Sequence, residues 1–294
     1  MTTSHAPLSP SASTPGCVSK PPLKWVGGKA RLLPHILPHF TSQSRIVEPF
    51  FGGGAVSFAL TGAHPEVQVV ANDFLEPLID IYRALQSDAD GFIAGVERYA
   101  DPYLAAQGKA ARRSFYYDVR DRYRDGDLDG PETLLFLLRT CYSGLYRTGK
   151  KVPGRFATAH GFGNEKADFH LPDRLRSAAS QMADWRFLSG DFAETLEHVN
   201  ADSFVFLDPP YRGTFTGYTD GGFSEEDQLR VATYAREAAR RGAKVVYTNK
   251  DLGDGFYAAH FPGFAIQRAP IRYSVNANCA VAGRPRTHEV IITS

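Results

Sequence analysis

Cysteine is scarce: Cys17, Cys141 and Cys279 are the three in 294 residues, an odd number with no CxxC pair. Neither a disulfide framework nor a structural zinc site is expected, and this usage fits a reducing compartment. The nine histidines form no HExxH and no HxH pattern, so no metal site is expected. Long apolar runs are missing too; nothing approaches the ~20 residues that a membrane helix needs. The N-terminus, MTTSHAPLSPSASTPG, has no apolar stretch of the kind a secretory signal carries. Charge of one sign is also lacking, since 33 basic and 32 acidic residues leave a net +1. The total therefore does not announce a nucleic-acid partner. What is present is a globular composition, 43% hydrophobic and 22% charged, long enough for one large domain or a core with a smaller insert.

Residues 1–19 are rich in Ser, Thr and Pro, have little to bury, and read as a disordered tail. Beyond them, short apolar runs repeatedly end in a polar or glycine-bearing turn and pass into a helical stretch. Arg45-Ile46-Val47-Glu48-Pro49-Phe50 leads to Gly52-Gly53-Gly54 and a helix from about Ala55. Val67 to Ala71 ends in Asn72-Asp73 before an amphipathic stretch from Leu75 to Leu85. Phe204 to Leu207 ends in Asp208-Pro209-Pro210-Tyr211, and Lys244 to Tyr247 in Thr248-Asn249. This alternation predicts an α/β fold, a doubly wound, mostly parallel sheet with helices on both faces. Ser224 ahead of Glu225-Glu226-Asp227 predicts a helix start, with Leu229, Ala232, Ala235 and Ala239 on its apolar face and a stop at Gly242. Phe264 to Ile266 and His288 to Thr293 read as an antiparallel hairpin at the sheet edge. From Gly91 to Ala183 the chain is charged, helix-leaning and loop-rich. That predicts a mainly helical insert at 91–183 within a core formed by 20–90 and 184–294.

In a doubly wound sheet, ligands bind at the carboxyl ends of the strands near the switch in strand order, where the turns named above fall. Gly52 and Gly54 would let a ligand approach the backbone closely, and Asp73 stands where an acid commonly bonds ribose hydroxyls. A nicotinamide dehydrogenase would share these features. Asp208-Pro209-Pro210-Tyr211 favours a different chemistry. Two prolines fix their φ angles and donate no hydrogen bonds, so a carboxylate, a carbonyl and an aromatic ring converge at the end of an apolar strand. Such a corner suits a planar amine, its hydrogens going to Asp208 and the Pro209 carbonyl and its ring stacking on Tyr211. Elsewhere, Arg139, Arg147, Lys150, Lys151 and Arg155 form a basic stripe free of acids, with Tyr142, Tyr146 and Phe156 interleaved. It reads equally as a phosphate grip or as a solvated loop.

Over residues 22–294 the chain resembles the Dam-type family of DNA adenine methyltransferases. Lys24-Trp25-Val26-Gly27-Gly28-Lys29 is similar to that family's N-terminal cofactor motif, and Glu48-Pro49-Phe50-Phe51-Gly52-Gly53-Gly54 to its cofactor loop. Asp73 resembles its ribose-binding acid, and Asp191-Phe192 the pair that contacts the cofactor's adenine. Asp208 to Tyr211 resembles its catalytic tetrapeptide. The segment from Arg139 to Arg147, with Tyr142 and Ser143, resembles its DNA-contacting segment. Arg272 to Asn276 resembles a polar loop near the target base. Two departures fall in the insert: Ser143 stands where the family usually has Asn, and Phe156-Ala157-Thr158 replaces a signature near Phe-Asn-Val-Pro.

The resemblance implies a Rossmann-like catalytic domain that binds S-adenosylmethionine through Trp25, Lys29, Glu48, Pro49, Phe50, Gly52, Gly54, Asp73, Asp191, Phe192 and Asp208. It implies catalysis by Asp208, Pro209, Pro210 and Tyr211 on a flipped adenine, without a metal. The insert would recognise double-stranded DNA, with Lys24, Arg139, Tyr142, Ser143, Arg147, Lys150, Lys151, Arg155, Arg272 and Asn276 as candidate contacts. Lys24 or Lys29 would meet either the cofactor's carboxylate or a DNA phosphate. A cytoplasmic, nucleoid-associated enzyme is expected, with a cognate restriction endonuclease as a further partner. Alternatives are methylation of the cytosine N4 amine, of RNA or of a protein amide, and a catalytically silent DNA-binding module.

Overall fold

A computed structural model describes residues 20–149, 155–161, 171–213, 222–269 and 289–294. The tail expected at 1–19 lies outside them. The chain begins with a short helix, α1 (Leu33–Ile36), and enters β1 (Arg45–Glu48), α2 (Ala55–Ala63), β2 (Gln68–Asp73) and α3 (Glu76–Ser87). Then come α4 (Ala89–Ala105), α5 (Gly108–Asp125), α6 (Pro131–Thr140) and α7 (Pro172–Gln181). The alternation resumes with β3 (Arg186–Ser189), β4 (Ser203–Leu207), α8 (Glu225–Arg240), β5 (Lys244–Lys250), α9 (Phe256–His260), β6 (Ala265–Ala269) and β7 (Glu289–Thr293).

Among the described residues seven strands form one sheet in the order β3-β2-β1-β4-β5-β7-β6. β1 to β5 are parallel, while β7 runs antiparallel to both β5 and β6. The expected edge hairpin is present, with β7 inserted beside β5 and β6 outermost. Strand order reverses between β1 and β4, where Val47 pairs with Val205. Glu48 and Asp208 therefore leave adjacent strands at the switch point.

The central strands β1, β2, β4, β5 and β7 are mostly buried because both faces are covered, whereas the edge strands β3 and β6 are more exposed. Their side chains alternate between two cores. Ile46, Val69, Ala71, Phe204, Phe206 and Val246 belong to one. Val47, Val70, Val205, Leu207, Val245 and Tyr247 belong to the other. The second core is closed by α8, α9 and the 3-10 turn Phe192–His198.

The first core takes in the region between β2 and β3 as well. Phe92, Tyr103, Tyr116, Leu134 and Phe136 join the same cluster as Ile46 and Phe58. α3 packs on α4 and α6, and α7 reaches α2, α3 and α4. The described residues of 91–183 are mainly helical up to Thr140 and again from Pro172; α4 begins at Ala89, and the buried side chains of this region share a cluster with the sheet. The start of α8 agrees with the sequence reading: Ser224 accepts from the Asp227 amide and Asp227 bonds back to the Ser224 amide. Its buried face differs, however. Gln228, Val231, Ala232, Ala235 and Ala238 turn inward, and Leu229 lies exposed. The helix is rotated so that Gln228 can reach the loop after β4, as described below.

Candidate active site

The carboxyl ends of β1, β2, β3 and β4 open on a cavity of about 660 Å³ lined by residues from every motif expected to bind cofactor or catalyse. Three loops at its floor are stapled by Asn72, whose amide donates to the carbonyls of Pro49 (3.0 Å) and Gly190 (3.2 Å). Asp73 accepts from the amides of Gly52 (2.8 Å) and Leu75 (3.0 Å), which fixes the glycine loop against β2. Burial raises its pKa against those two bonds. Phe74, two-thirds exposed at 67%, extends over the cavity beside it.

The glycines serve a close approach, but from within the protein. A Cβ on Gly52 would lie 2.9 Å from the Trp25 indole, and one on Gly53 3.0 Å from the Trp25 Cβ. Gly54 has φ +68° and leads into α2, where its missing side chain admits the Phe51 ring. Glu48 is 2% exposed and accepts a short hydrogen bond from the Ser57 hydroxyl on α2. Burial pushes its pKa up to about 8 despite that bond, with Asp208 and Asp73 adding repulsion.

At one side Phe50, Phe192 and Phe223 form an aromatic wall, Phe50 and Phe192 being 5.0 Å apart between centroids. Asp191 caps the turn that follows it, accepting from the Ala193 amide (2.8 Å), and is paired with Arg230 of α8 at 2.7 Å. The Arg230 guanidinium also lies 4.8 Å from the Phe192 ring centre.

On the other side stands Asp208, with both carboxylate oxygens engaged. Lys29 Nζ is 2.6 Å from Oδ2, and the Thr248 hydroxyl donates to Oδ1 at 3.0 Å. Burial raises the Asp208 pKa, and the Lys29 ammonium and its hydrogen bond oppose that rise. Lys29 is itself buried, also donates to the Gly27 carbonyl (2.9 Å), and sits 4.9 Å from the centre of the Tyr211 ring. The structure thus gives Lys29 a partner that was not foreseen. The backbone after Asp208 is held from two sides: Gln228 donates to the Pro210 carbonyl (2.7 Å), and the Arg212 amide donates to Asn249 (3.0 Å). Arg212 is pinned in turn by Glu225 (2.6 Å) and Asp254 (2.8 Å). The Tyr211 hydroxyl donates to Glu289 at 2.5 Å.

Thr248, Gln228, Glu289, Phe223 and Arg230 were given no catalytic or binding role in the sequence. Thr248 alone had a local signal, its place in the turn that ends an apolar strand.

The DNA-contact candidates are less uniform. Lys24, Tyr142, Ser143, Arg147 and Arg155 are exposed, Tyr142 at 52%. Tyr146 and Phe156 are instead buried and packed edge to face, because this segment folds back through the Thr148–Phe156 bridge. Arg139 points inward to the Pro22 carbonyl, and burial beside Arg174 brings its pKa down to about 10. It holds the segment that carries Lys24 and Trp25. Lys150, Lys151, Arg272 and Asn276 lie outside the described residues.

The family model of the D12 class N6 adenine-specific DNA methyltransferases matches residues 25–267. The type II methyltransferase M.MjaIII of Methanocaldococcus jannaschii is 34% identical over 273 residues, 87% of this chain and 93% of that protein. The DNA adenine methylase of Vibrio cholerae is 30% identical over 237 residues, 78% of this chain and 80% of that protein. The DNA N-6-adenine-methyltransferase of Escherichia phage P1 is 32% identical across 91% of this chain, which spans only 34% of that longer protein. With sheet order, cavity and motif sequence in agreement, the chain belongs to the D12 class N6 adenine-specific DNA methyltransferases.

Proposed function

We propose that the chain transfers a methyl group from S-adenosylmethionine to N6 of an adenine turned out of double-stranded DNA, and that the cavity described above serves both. One observation carries this reading: Asp208 paired with Lys29, a proline-fixed backbone and the Tyr211 ring meet at one wall of the cavity. The cavity suits that cofactor. Asp73 would hold its ribose, Asp191 its adenine amine, and Phe50 and Phe192 its adenine ring. Trp25, Glu48, Pro49, Gly52 and Gly54 would close around its methionine part, near Lys29 and Asp208. When bound, S-adenosylmethionine supplies a methyl group made electrophilic by its sulfonium.

The protein's own contribution is to ready the amine. Asp208 accepts one of its hydrogens and the Pro209 carbonyl the other, which draws the nitrogen lone pair out of the ring toward the incoming carbon. Lys29 opposes the rise that burial gives the Asp208 pKa and so favours the ionised, accepting form of the carboxyl. Tyr211 stacks on the extruded base and offsets part of the few kcal/mol that unstacking costs. Pro210 passes its carbonyl to Gln228 and so stiffens the turn. Positioning and fixed charge supply the rate.

Residues 91–183 form the target-recognition region in this reading, presenting Tyr142, Ser143, Arg147 and Arg155 to DNA together with Lys24. A cytoplasmic, nucleoid-bound enzyme follows, and relatives named type II methyltransferases favour a cognate endonuclease as a second partner. The test is incubation with labelled S-adenosylmethionine and duplex DNA, followed by nucleoside mass spectrometry. N6-methyldeoxyadenosine is expected, and Asp208→Ala removes it. Label on cytosine, or an Asp208→Ala enzyme of near-normal activity, overturns the reading.

A further inference from the structure

Tyr211 is held at more points than a turn requires. Its backbone neighbours are fixed by Gln228 and Asn249, Lys29 lies over its ring, and its hydroxyl ends on Glu289 Oε1 at 2.5 Å. Glu289 comes from the far side of the sheet order. It is the first residue of β7, paired with Lys250 on one side and Ala269 on the other, and it is 4% exposed. A carboxylate buried at a strand end costs free energy that an apolar residue there would not. Its bond to Tyr211, 78 positions away in sequence, gives it a use.

A ring that must receive a base face to face needs its plane set before the base arrives. A tyrosine fixed only at its backbone can still turn about two side-chain torsions. The Glu289 bond removes that freedom at the far end of the ring. With Lys29 over one face of the ring, the approach of a base is directed to the other.

We propose that Glu289 is a positioning residue for the transfer reaction: through the Tyr211 hydroxyl it sets the plane on which the extruded base stacks. This rests on the reading of Tyr211 as the stacking residue. Strand β7 thereby reaches into a site otherwise built from the ends of the parallel strands. In this proposal the carboxylate acts through the Tyr211 hydroxyl rather than on the base or the methyl donor.

Five variants test this: Glu289→Ala, Glu289→Gln, Tyr211→Phe, Tyr211→Ala and the double variant Tyr211→Phe/Glu289→Ala. They are compared by kcat and by KM for duplex DNA, by S-adenosylmethionine binding, and by the fluorescence of 2-aminopurine at the mapped target adenine. Loss of a hydrogen bond to a charged group corresponds to about ten- to hundredfold. Tyr211→Phe is expected to lower kcat by that factor and to reduce the 2-aminopurine change, with S-adenosylmethionine affinity unaltered. Glu289→Ala matches it, the double variant Tyr211→Phe/Glu289→Ala is no worse than either, and Glu289→Gln, which can still accept from the hydroxyl, restores most of the rate. If Tyr211→Ala is defective but Tyr211→Phe is normal, the positioning role of Glu289 is wrong while stacking by Tyr211 survives. If Tyr211→Ala is itself normal, the stacking reading falls. Independent, multiplying defects in the double variant would also refute the proposal, since the two groups would then act separately. Tyr211→Phe changes one exchangeable hydroxyl and keeps the ring, so the test stands even where Glu289→Ala folds poorly.

Discussion

Replacing Glu48 with glutamine makes the protein more stable, by an amount that grows with pH. The carboxyl is 2% exposed, its hydroxyl partner Ser57 is neutral, and the charged groups nearest it, Asp208 and Asp73, repel its ionised form. Its pKa moves from 4.5 to about 8, with burial as the main cause. A raised carboxyl pKa means that the fold prefers the protonated form. Stability is therefore complete below the unfolded value of 4.5 and declines as pH climbs toward the folded value of about 8. At about 1.4 kcal/mol per unit, the full loss is on the order of 5 kcal/mol, and the part that develops between about pH 6 and pH 9 is roughly 2.5 kcal/mol. Glutamine fills the same volume, can bond to Ser57, and has no such loss. Urea titrations of both proteins across that range, at fixed ionic strength, should show the curves diverging by roughly this amount as pH rises. Parallel profiles, or a divergence in the other direction, would refute the claim that Glu48 is held neutral by its surroundings. The other carboxyls titrate in both proteins, so the difference reports Glu48 together with its coupling to Asp208 and Asp73.

Two further substitutions probe backbone conformation. Ser143 sits at φ 56°, a left-handed conformation in which asparagine is better tolerated than serine. Ser143→Asn should raise stability by up to about 1 kcal/mol, read as a higher unfolding midpoint, and a lower midpoint would contradict the conformational account. Gly54→Ala places a methyl group 2.4 Å from the Phe51 ring at φ +68°. It should cost about 2 kcal/mol or more in denaturant titration, and a change below about 0.5 kcal/mol would show that the loop relaxes freely.

The features legible in the sequence were those written locally. Four parallel strands stood out because both of their faces are buried, so their apolar runs are unbroken. The tetrapeptide at 208–211 stood out because two prolines leave few conformations open. β3 was harder to see, since its burial pattern has one fully buried position among four. The pairing of Lys29 with Asp208 crosses 179 positions, and that of Tyr211 with Glu289 crosses 78. Nothing near any of these residues encodes its partner; the tertiary fold alone brings them together. Arg139 illustrates the converse error. In a basic stripe it reads as a phosphate contact, but it lies on a helix whose other faces are buried, and its guanidinium satisfies the Pro22 carbonyl instead. The glycines at 52–54 announced a close approach without saying that Trp25 and Phe51 make it.

The alternation of strand side chains between two cores makes the sheet a partition wall. Neighbours such as Phe206 and Leu207 face separate compartments, one packed with every helix between β2 and β3, the other with α8 and α9. Interiors this dense transmit a change in side-chain volume to what they touch and little further. Groups on opposite sides of the wall share no packing partners and so contribute nearly independently. Sequence change among α4 to α7 is thus confined to one compartment. Gln228 and Arg230, which steady the turn after β4 and Asp191, project from the helix that closes the other. In the reading proposed above, α4 to α7 could vary at positions other than Arg139 while Gln228 and Arg230 keep the turn after β4 and Asp191 in place.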